Sequence, residues 1–281
     1  MLPHAPCLRA WVRAYEYHPA FHQGASGTLP IWPHPYTVLP IRFGDPLHIV
    51  YRSTRTSRTE PAVTLCGPVT DYRVDAVTRK RHSSQFLVVF QPGAVRRLFG
   101  VSARELIDDA APAEEILGPS SRWLYEQLCD AQDAQQMAAV IDAYLTTLVR
   151  DAASASAIER TALAQLNNRG GLPVTDLIEK SGYGRTRFER GFVESVGVNP
   201  KLFARLVRFD YAIRLHVSNP RLTWVTVAYE AGYYDQNHLI KEFKALTGQA
   251  PSCLPEPDWR ILGGSPLDCD EAMRLRPRLS A

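Results

Sequence analysis

The feature that most constrains this chain is a self-similarity in its last third. Ser181-Gly182-Tyr183 recurs as Ala231-Gly232-Tyr233, 50 residues on. Phe188, Phe192, Gly197 and Pro200 recur as Leu239, Phe243, Gly248 and Pro251, 51 residues on. A short apolar-patterned segment precedes each Gly-Tyr: Val174, Leu177 and Ile178 in the first unit, Trp224, Val227 and Ala228 in the second. Each unit therefore reads as a short helix, a glycine turn, a second helix, a glycine and a terminating proline. Gly182 and Gly232 fall where a helix stops, and glycine alone takes a positive φ there without strain. Asp235 is placed to N-cap a helix beginning at Gln236. Phe188 and Phe192, like Leu239 and Phe243, are four apart, so each pair turns one side of its helix inward. Arg185, Arg187 and Arg190 are left on the outer face of the first unit, and Gln236, Asn237, His238 and Lys241 on that of the second. This is the plan of a helix-turn-helix, whose second helix enters the DNA major groove.

Between the units, Leu202, Leu206, Phe209, Ile213 and Leu215 fall mostly at helical spacing within Lys201–His216. Sixteen residues make a rod of roughly 24 Å, suited to holding two reading helices about one DNA turn apart, at the ~34 Å recurrence of the groove. The two units are not equal. Gly184 stands where a side-chain cap is usual, and Gly191 sits inside the first reading helix, where glycine costs ~1 kcal/mol relative to alanine. The second unit is expected to be the better-formed reader.

The first third has a different texture. Tyr36–Ile41, His48–Tyr51, Ala62–Leu65 and Gln85–Phe90 are short runs of Val, Ile, Leu and aromatics separated by Pro, Gly, Ser and Asp, the pattern of a sandwich or barrel. Phe86–Phe90 is continuously apolar, as a strand buried on both faces would be. After Gly93 the reading is helical: short helices at Ala94–Phe99 and Ala103–Ile107, longer ones at Ser121–Gln132 and Ala134–Arg150. In the last, Met137, Ile141, Tyr144, Leu145 and Leu148 share one face. The small-residue run Ala152–Ala157 is the linker candidate. The expected organisation is α+β. A β-rich domain over 1–153, with its β core to about 92 and helices over 94–150, is followed by an all-α domain over 154–256 and an irregular tail over 257–281.

Composition decides less than it first suggests. At 45% hydrophobic residues the chain can bury cores, which excludes disorder over most of its length. The net charge of +3 hides a division: residues 1–154 hold 15 Lys+Arg and 15 Asp+Glu, and residues 155–260 hold 14 and 11. The whole excess lies in the repeat. Five cysteines without a C-x-x-C pair fit reduced thiols of a cytoplasmic protein. No apolar run reaches the ~18–20 residues of a membrane span, and Met1–Ala10 lacks the order of a signal peptide.

Residues from about 157 to 254 resemble the DNA-binding domain of the AraC/XylS family of bacterial transcription regulators. The resemblance rests on Val174–Gly197 (VTDLIEKSGYGRTRFERGFVESVG), Val198–Lys201, and Val227–Ser252 (VAYEAGYYDQNHLIKEFKALTGQAPS). It implies seven helices forming two helix-turn-helix units on a long linking helix. Phe90–Gly118 is similar to the end of a cupin-like N-terminal domain found fused to this module in some members, and such domains bind effectors or mediate dimerisation. By the family pattern, Arg185, Thr186, Glu189, Arg190, Gln236, Asn237 and Lys241 match the base-reading positions. Their chemistry fits: Arg pairs with guanine, Gln or Asn with adenine, Glu accepts from cytosine N4, and a Thr methyl meets the thymine methyl. Arg187, Arg208 and Lys244 are expected at phosphates, which contribute salt-dependent affinity without sequence information.

Double-stranded promoter DNA is thus the expected partner, with a small-molecule effector at the N-terminal domain, a second copy of the chain joined through the helices of 121–150, and RNA polymerase if the protein activates. No cofactor is expected. The competing readings are a metal-dependent barrel enzyme with a helical accessory domain, and an adaptor that has lost DNA binding. His4, His18, His22, His34, His48 and His82 lie in the N-terminal half, but no pair has the spacing of a strand-borne ligand couple, so no metal site is expected. Trp11, Tyr15, Tyr17, Phe21, Trp32, Tyr36 and Phe43 read as core before they read as a pocket lining. No nucleophile elbow, zincin helix or P-loop is present.

Overall fold

The computed structural model describes residues 5–21, 28–44, 47–51, 56–70, 74–77, 83–150 and 152–253. The tail expected from 257, Cys269, and His4, His22 and His82 lie outside the described residues. Nine strands come first: β1 (Val12–Phe21), β2 (Thr28–Ile31), β3 (Val38–Gly44), β4 (Leu47–Tyr51), β5 (Thr56–Glu60), β6 (Thr64–Cys66), β7 (Val74–Val77), β8 (Ser83–Phe90) and β9 (Ala110–Pro112). They form two antiparallel sheets, one in the order β1-β8-β3-β6-β9 and the other β2-β7-β4-β5.

The larger sheet is buried on both sides, and its side chains divide by the period of two expected of strands. Tyr15, Leu39, Ile41, Phe86, Val88 and Phe90 turn to one face. There they pack against α3 (Ser120–Asp130) and α4 (Ala134–Val149) through Leu124, Leu128, Met137, Ile141 and Leu145. Asp133 caps α4, accepting from the amides of Gln135 and Gln136 at 2.9 and 2.8 Å. The apolar faces of 121–150, which the sequence offered to a second copy, are therefore spent within the chain, leaving the polar sides of these helices with Trp123 half exposed. The helices α1 (Ala94–Phe99) and α2 (Ala113–Leu117) and a 3-10 turn at Ala103–Leu106 complete this part.

On the other face of the sheet, Ala14, Val38 and Val89 join a core that continues into the C-terminal helices. These are α5 (Ala157–Asn167), α6 (Val174–Ser181), α7 (Arg185–Val196), α8 (Pro200–Ser218), α9 (Trp224–Glu230) and α10 (Gln236–Thr247). Of the seven helices implied by the resemblance, six α-helices and a 3-10 turn at Pro251–Cys253 fall within the described residues. The small-residue stretch ends in a fixed joint. Ser156 caps α5 and Glu159 reaches back to the Ser156 amide at 2.7 Å, a capping box. Glu159 is also 3.4 Å from Arg97, whose guanidinium lies 3.8 Å from the Trp11 ring centroid.

Candidate nucleic-acid interface

The repeat folds as two helix-turn-helix units, α6–α7 and α9–α10, carried on α8. Each turn uses its glycine as expected, with φ of 70° at Gly182 and 75° at Gly232. The inward pairs are fully buried: Phe188, Phe192, Leu239 and Phe243. Phe192 meets Phe203 of α8 at 5.6 Å between centroids, and Phe243 meets Phe209 at 4.7 Å, so α8 seats both reading helices, from positions six residues and about 120° apart around its axis. Nineteen residues give α8 a length of about 28 Å. The second unit has a further brace, the Arg205–Glu242 ion pair at 2.6 Å between α8 and α10, which the sequence reading did not single out.

The caps differ in the expected way. Asp235 accepts from the His238 amide at 2.7 Å, whereas Gly184 offers no side-chain acceptor. Gly191 has a reason that propensity does not supply. A Cβ there would lie 2.5 Å from the Ile158 Cδ1 of α5, so the glycine lets α5 lie close against the first reading helix.

The outer face of α7 carries Arg185, Thr186, Arg187 and Arg190 exposed and Glu189 half-buried. Arg185 pairs with Glu189 at 3.3 Å, one turn along, and Arg187 lies over the Tyr183 ring at 4.5 Å. Arg190 has no ion-pair partner among the described residues. On α10, Gln236, Asn237, Lys241 and Lys244 are exposed. The two tyrosines of the second turn part company: Tyr233 is buried and Tyr234 is 92% exposed. His238 is half-buried and turned to the turn itself, its Nδ1 accepting from the Tyr234 amide at 3.4 Å and its ring edge-on to Tyr233. Arg208 is half-buried on α8, its guanidinium 5.7 Å from the Tyr233 ring centroid and its Nε without a hydrogen-bond partner.

The N-terminal part holds this platform at two places. Glu194, near the end of α7, accepts from the Ser102 hydroxyl at 3.0 Å and lies 3.7 and 3.8 Å from Arg96 and Arg104. At the centre, the Tyr36 hydroxyl donates to Asp210 of α8 at 2.7 Å, and Arg214 donates to the same oxygen at 2.9 Å. Burial lifts the Asp210 carboxyl above its ordinary range, against the pull of Arg214 and the Tyr36 hydroxyl. Burial, and then the Asp210 charge, push the Tyr36 phenol up to about 12. His34, stacked on Tyr36 at 6.1 Å, is held down to about 4 by burial and the Arg214 charge.

The described histidines of the N-terminal half do not converge. His18 sits 3.6 Å from Glu16, His48 shares a 2.9 Å contact with Thr59, and His34 is buried beside Tyr36. Among the described residues no three His, Cys, Asp or Glu side chains are grouped as metal ligands. Trp11, Tyr15 and Tyr36 are core residues. Among the described residues no helix is long and apolar enough to cross a membrane.

A family of helix-turn-helix domains matches residues 177–255, and a domain of unknown function (DUF6597) matches residues 1–112. No curated protein sequence matches the chain. Among solved structures, ToxT from Vibrio cholerae is similar, with 12% identity, 85% of this chain and 97% of that one covered, and a TM-score of 0.50. A second structure, of unsaturated fatty acid-bound wild-type ToxT from Vibrio cholerae, has 14% identity, covers 86% of this chain and 91% of that one, and has a TM-score of 0.46. At such identities the likeness is one of fold: a β-rich N-terminal part joined to a helical C-terminal part.

Proposed function

Given that this chain is an AraC-type DNA-binding transcription regulator, with its helix-turn-helix domain at residues 177–255, we propose that α7 and α10 read two successive major grooves of promoter DNA. The observation that carries the proposal is the seating of both reading helices on the single helix α8, through Phe192 on Phe203 and Phe243 on Phe209. That arrangement leaves two polar outer faces on one rigid body. The helix-turn-helix domain and the fold are those of transcription regulators, not of enzymes.

Base contacts are assigned to Arg185, Thr186, Glu189, Arg190, Gln236, Asn237 and Lys241, and phosphate contacts to Arg187 and Lys244. Arg190, unpaired and exposed, is free to form a bidentate pair with guanine, whereas Arg185 must first leave Glu189. Arg208 is assigned to phosphate as well, from a half-buried position on α8 with its guanidinium 5.7 Å from the Tyr233 ring centroid. The module of 154–256 binds DNA and the part of 1–153 senses a small molecule. The seam of Tyr36, Asp210, Ser102 and Glu194 transmits between them. Acting at promoters in the cytoplasm, the protein is a homodimer at paired sites and contacts RNA polymerase if it activates.

The test is DNA selection with the full chain, followed by gel shifts over a range of salt. Arg190→Ala should relax discrimination at one or two base pairs, by about 1–3 kcal/mol, while Lys244→Ala should weaken all sequences alike and flatten the salt slope. Binding that is absent at low salt, or unchanged by Arg190→Ala and Lys241→Ala together, would sink the proposal.

A further inference from the structure

The outer face of α7 does not end at Arg190. Glu194 stands about 40° around the helix from Arg190 and about 20° from Arg187, and about 6 Å further along the axis than Arg190. The N-terminal part reaches α7 there. The Ser102 hydroxyl lies 3.0 Å from the Glu194 carboxylate and 3.2 Å from the Glu194 carbonyl oxygen. The 3-10 turn that Ser102 caps, Ala103–Leu106, passes close to the end of α7: a Cβ on Gly197 would lie 2.9 Å from the Ala103 carbonyl oxygen. The turn is therefore fixed to the first reading helix, and whatever it carries moves with that helix.

What gathers there is cationic. Arg96, in the last turn of α1, and Arg104, on the 3-10 turn, stand 3.7 and 3.8 Å from the two Glu194 carboxylate oxygens. Both distances exceed a hydrogen-bond length, so neither fork spends its donors on the carboxylate. The two side chains are 46% and 67% exposed. Arg97, next to Arg96, shows the contrast: its side chain is 8% exposed, beside Glu159, and donates to the carbonyls of Ala10 and Ala153. Glu194 offsets one of the two exposed charges. Glu105, the next residue of the turn, stands about 120° around it from Arg104.

We propose that Arg96 and Arg104 of the N-terminal part extend the DNA surface of the first unit, each meeting a phosphate at the rim of the groove that α7 enters. A reading helix puts its N-terminal residues on base edges, and the major groove, about 12 Å wide, is hardly wider than the helix itself. With Thr186 and Arg190 at base edges, a residue one turn past Arg190 stands where the flanking backbone passes. Glu194 alone would repel phosphate there. The two guanidiniums reverse the sign of that corner, and their planar forks match phosphate oxygens. The proposal rests on the reading of α7 as a DNA-reading helix. It gives the N-terminal part a direct share in DNA affinity, at the unit whose reading helix lacks a side-chain cap.

Fluorescence anisotropy with the full chain tests this, on the duplex recovered by selection and on a random-sequence duplex, from about 50 to 200 mM salt. The Arg96→Ala, Arg104→Ala double variant should lower the slope of log affinity against log salt by about 1.8, at ~0.9 per phosphate. It should weaken both duplexes alike, by at least about tenfold at about 100 mM salt. If the double variant fails to fold in urea titrations, each single variant is read for a drop of about 0.9. Replacing both arginines by lysine should keep the slope, since a point charge still neutralises a phosphate. Arg122→Ala, on α3 with its side chain 85% exposed, controls for total charge and should leave the slope unchanged. Glu194→Gln separates a direct contact from a brace: it breaks the same ion pairs, keeps both cations and should not lower the slope. Three outcomes overturn the surface: an unchanged slope in the alanine variants, tighter binding by them, or the same loss in Glu194→Gln or Arg122→Ala. Wild type that binds neither duplex at low salt removes the DNA reading itself. Wild type that binds, with the alanine variants unchanged, removes only this surface.

Discussion

Replacing Tyr36 by phenylalanine removes a single oxygen atom from the seam between the two halves of the protein. The ring can stay where it is, stacked on His34, but the 2.7 Å bond to Asp210 is lost. Asp210 retains Arg214 at 2.9 Å, so the carboxylate is weakened in its support rather than orphaned. A hydrogen bond to a charged group contributes about 1.5–3 kcal/mol, and burial places this one toward the upper end. The loss corresponds to roughly a 10- to 150-fold change in the folding equilibrium. Losing the hydroxyl also removes one of the groups that hold the Asp210 carboxyl down, so its titration should move further upward. Urea unfolding followed by tryptophan fluorescence measures the loss, since Trp11 reports the N-terminal core and Trp224 the second reading unit. The double-mutant cycle with Asp210→Asn isolates the bond from the ring. A loss under about 0.5 kcal/mol, or one that is fully additive with Asp210→Asn, would refute the reasoning and assign the seam to packing alone.

Acid should loosen the same region through His34. Its imidazole is held down to about 4 when folded, against an ordinary value of 6.5, so below pH 6.5 the unfolded chain binds the extra proton. The stability this histidine confers is whole above pH 6.5 and is lost as pH falls toward 4, by about 3 kcal/mol at most. Unfolding free energies of wild type and His34→Gln, measured from pH 7 to 4, should converge; parallel curves would count against a buried neutral His34. In the second unit, Asp235→Ala should cost about 1 kcal/mol of helix stability and speed amide exchange over 236–239. Gly184→Ser, at a position with open space around it, should slow exchange over 185–188 by adding a cap that α7 lacks. Equal protection of the two helices in the free wild-type protein would contradict the expected difference between them.

Much of the DNA-binding half was legible before any coordinates, because its determinants are local. A glycine that ends a helix, an aspartate that begins one, and apolar residues four apart act on neighbours within a turn or two. They leave a period that can be read, and here the period occurs twice. The β-rich half was legible as a class and less so in detail. Phe86–Phe90 announced a buried strand, but sheet order and register depend on partners that no local pattern names. The amphipathic faces of 121–150 were visible, while their destination was not: they cover the chain's own sheet.

What the sequence alone determined is the paired reading unit, its turns, its caps and its two outward faces, since each follows from intervals of three or four residues that a helix imposes on its own chain. What only the tertiary structure decided is how that unit is held. Tyr36 and Asp210 are 174 residues apart, and Ser102 and Glu194 are 92 apart. A hydrogen bond between distant side chains leaves no interval in the sequence. It exists because burial brings those groups together and makes the absence of a partner costly.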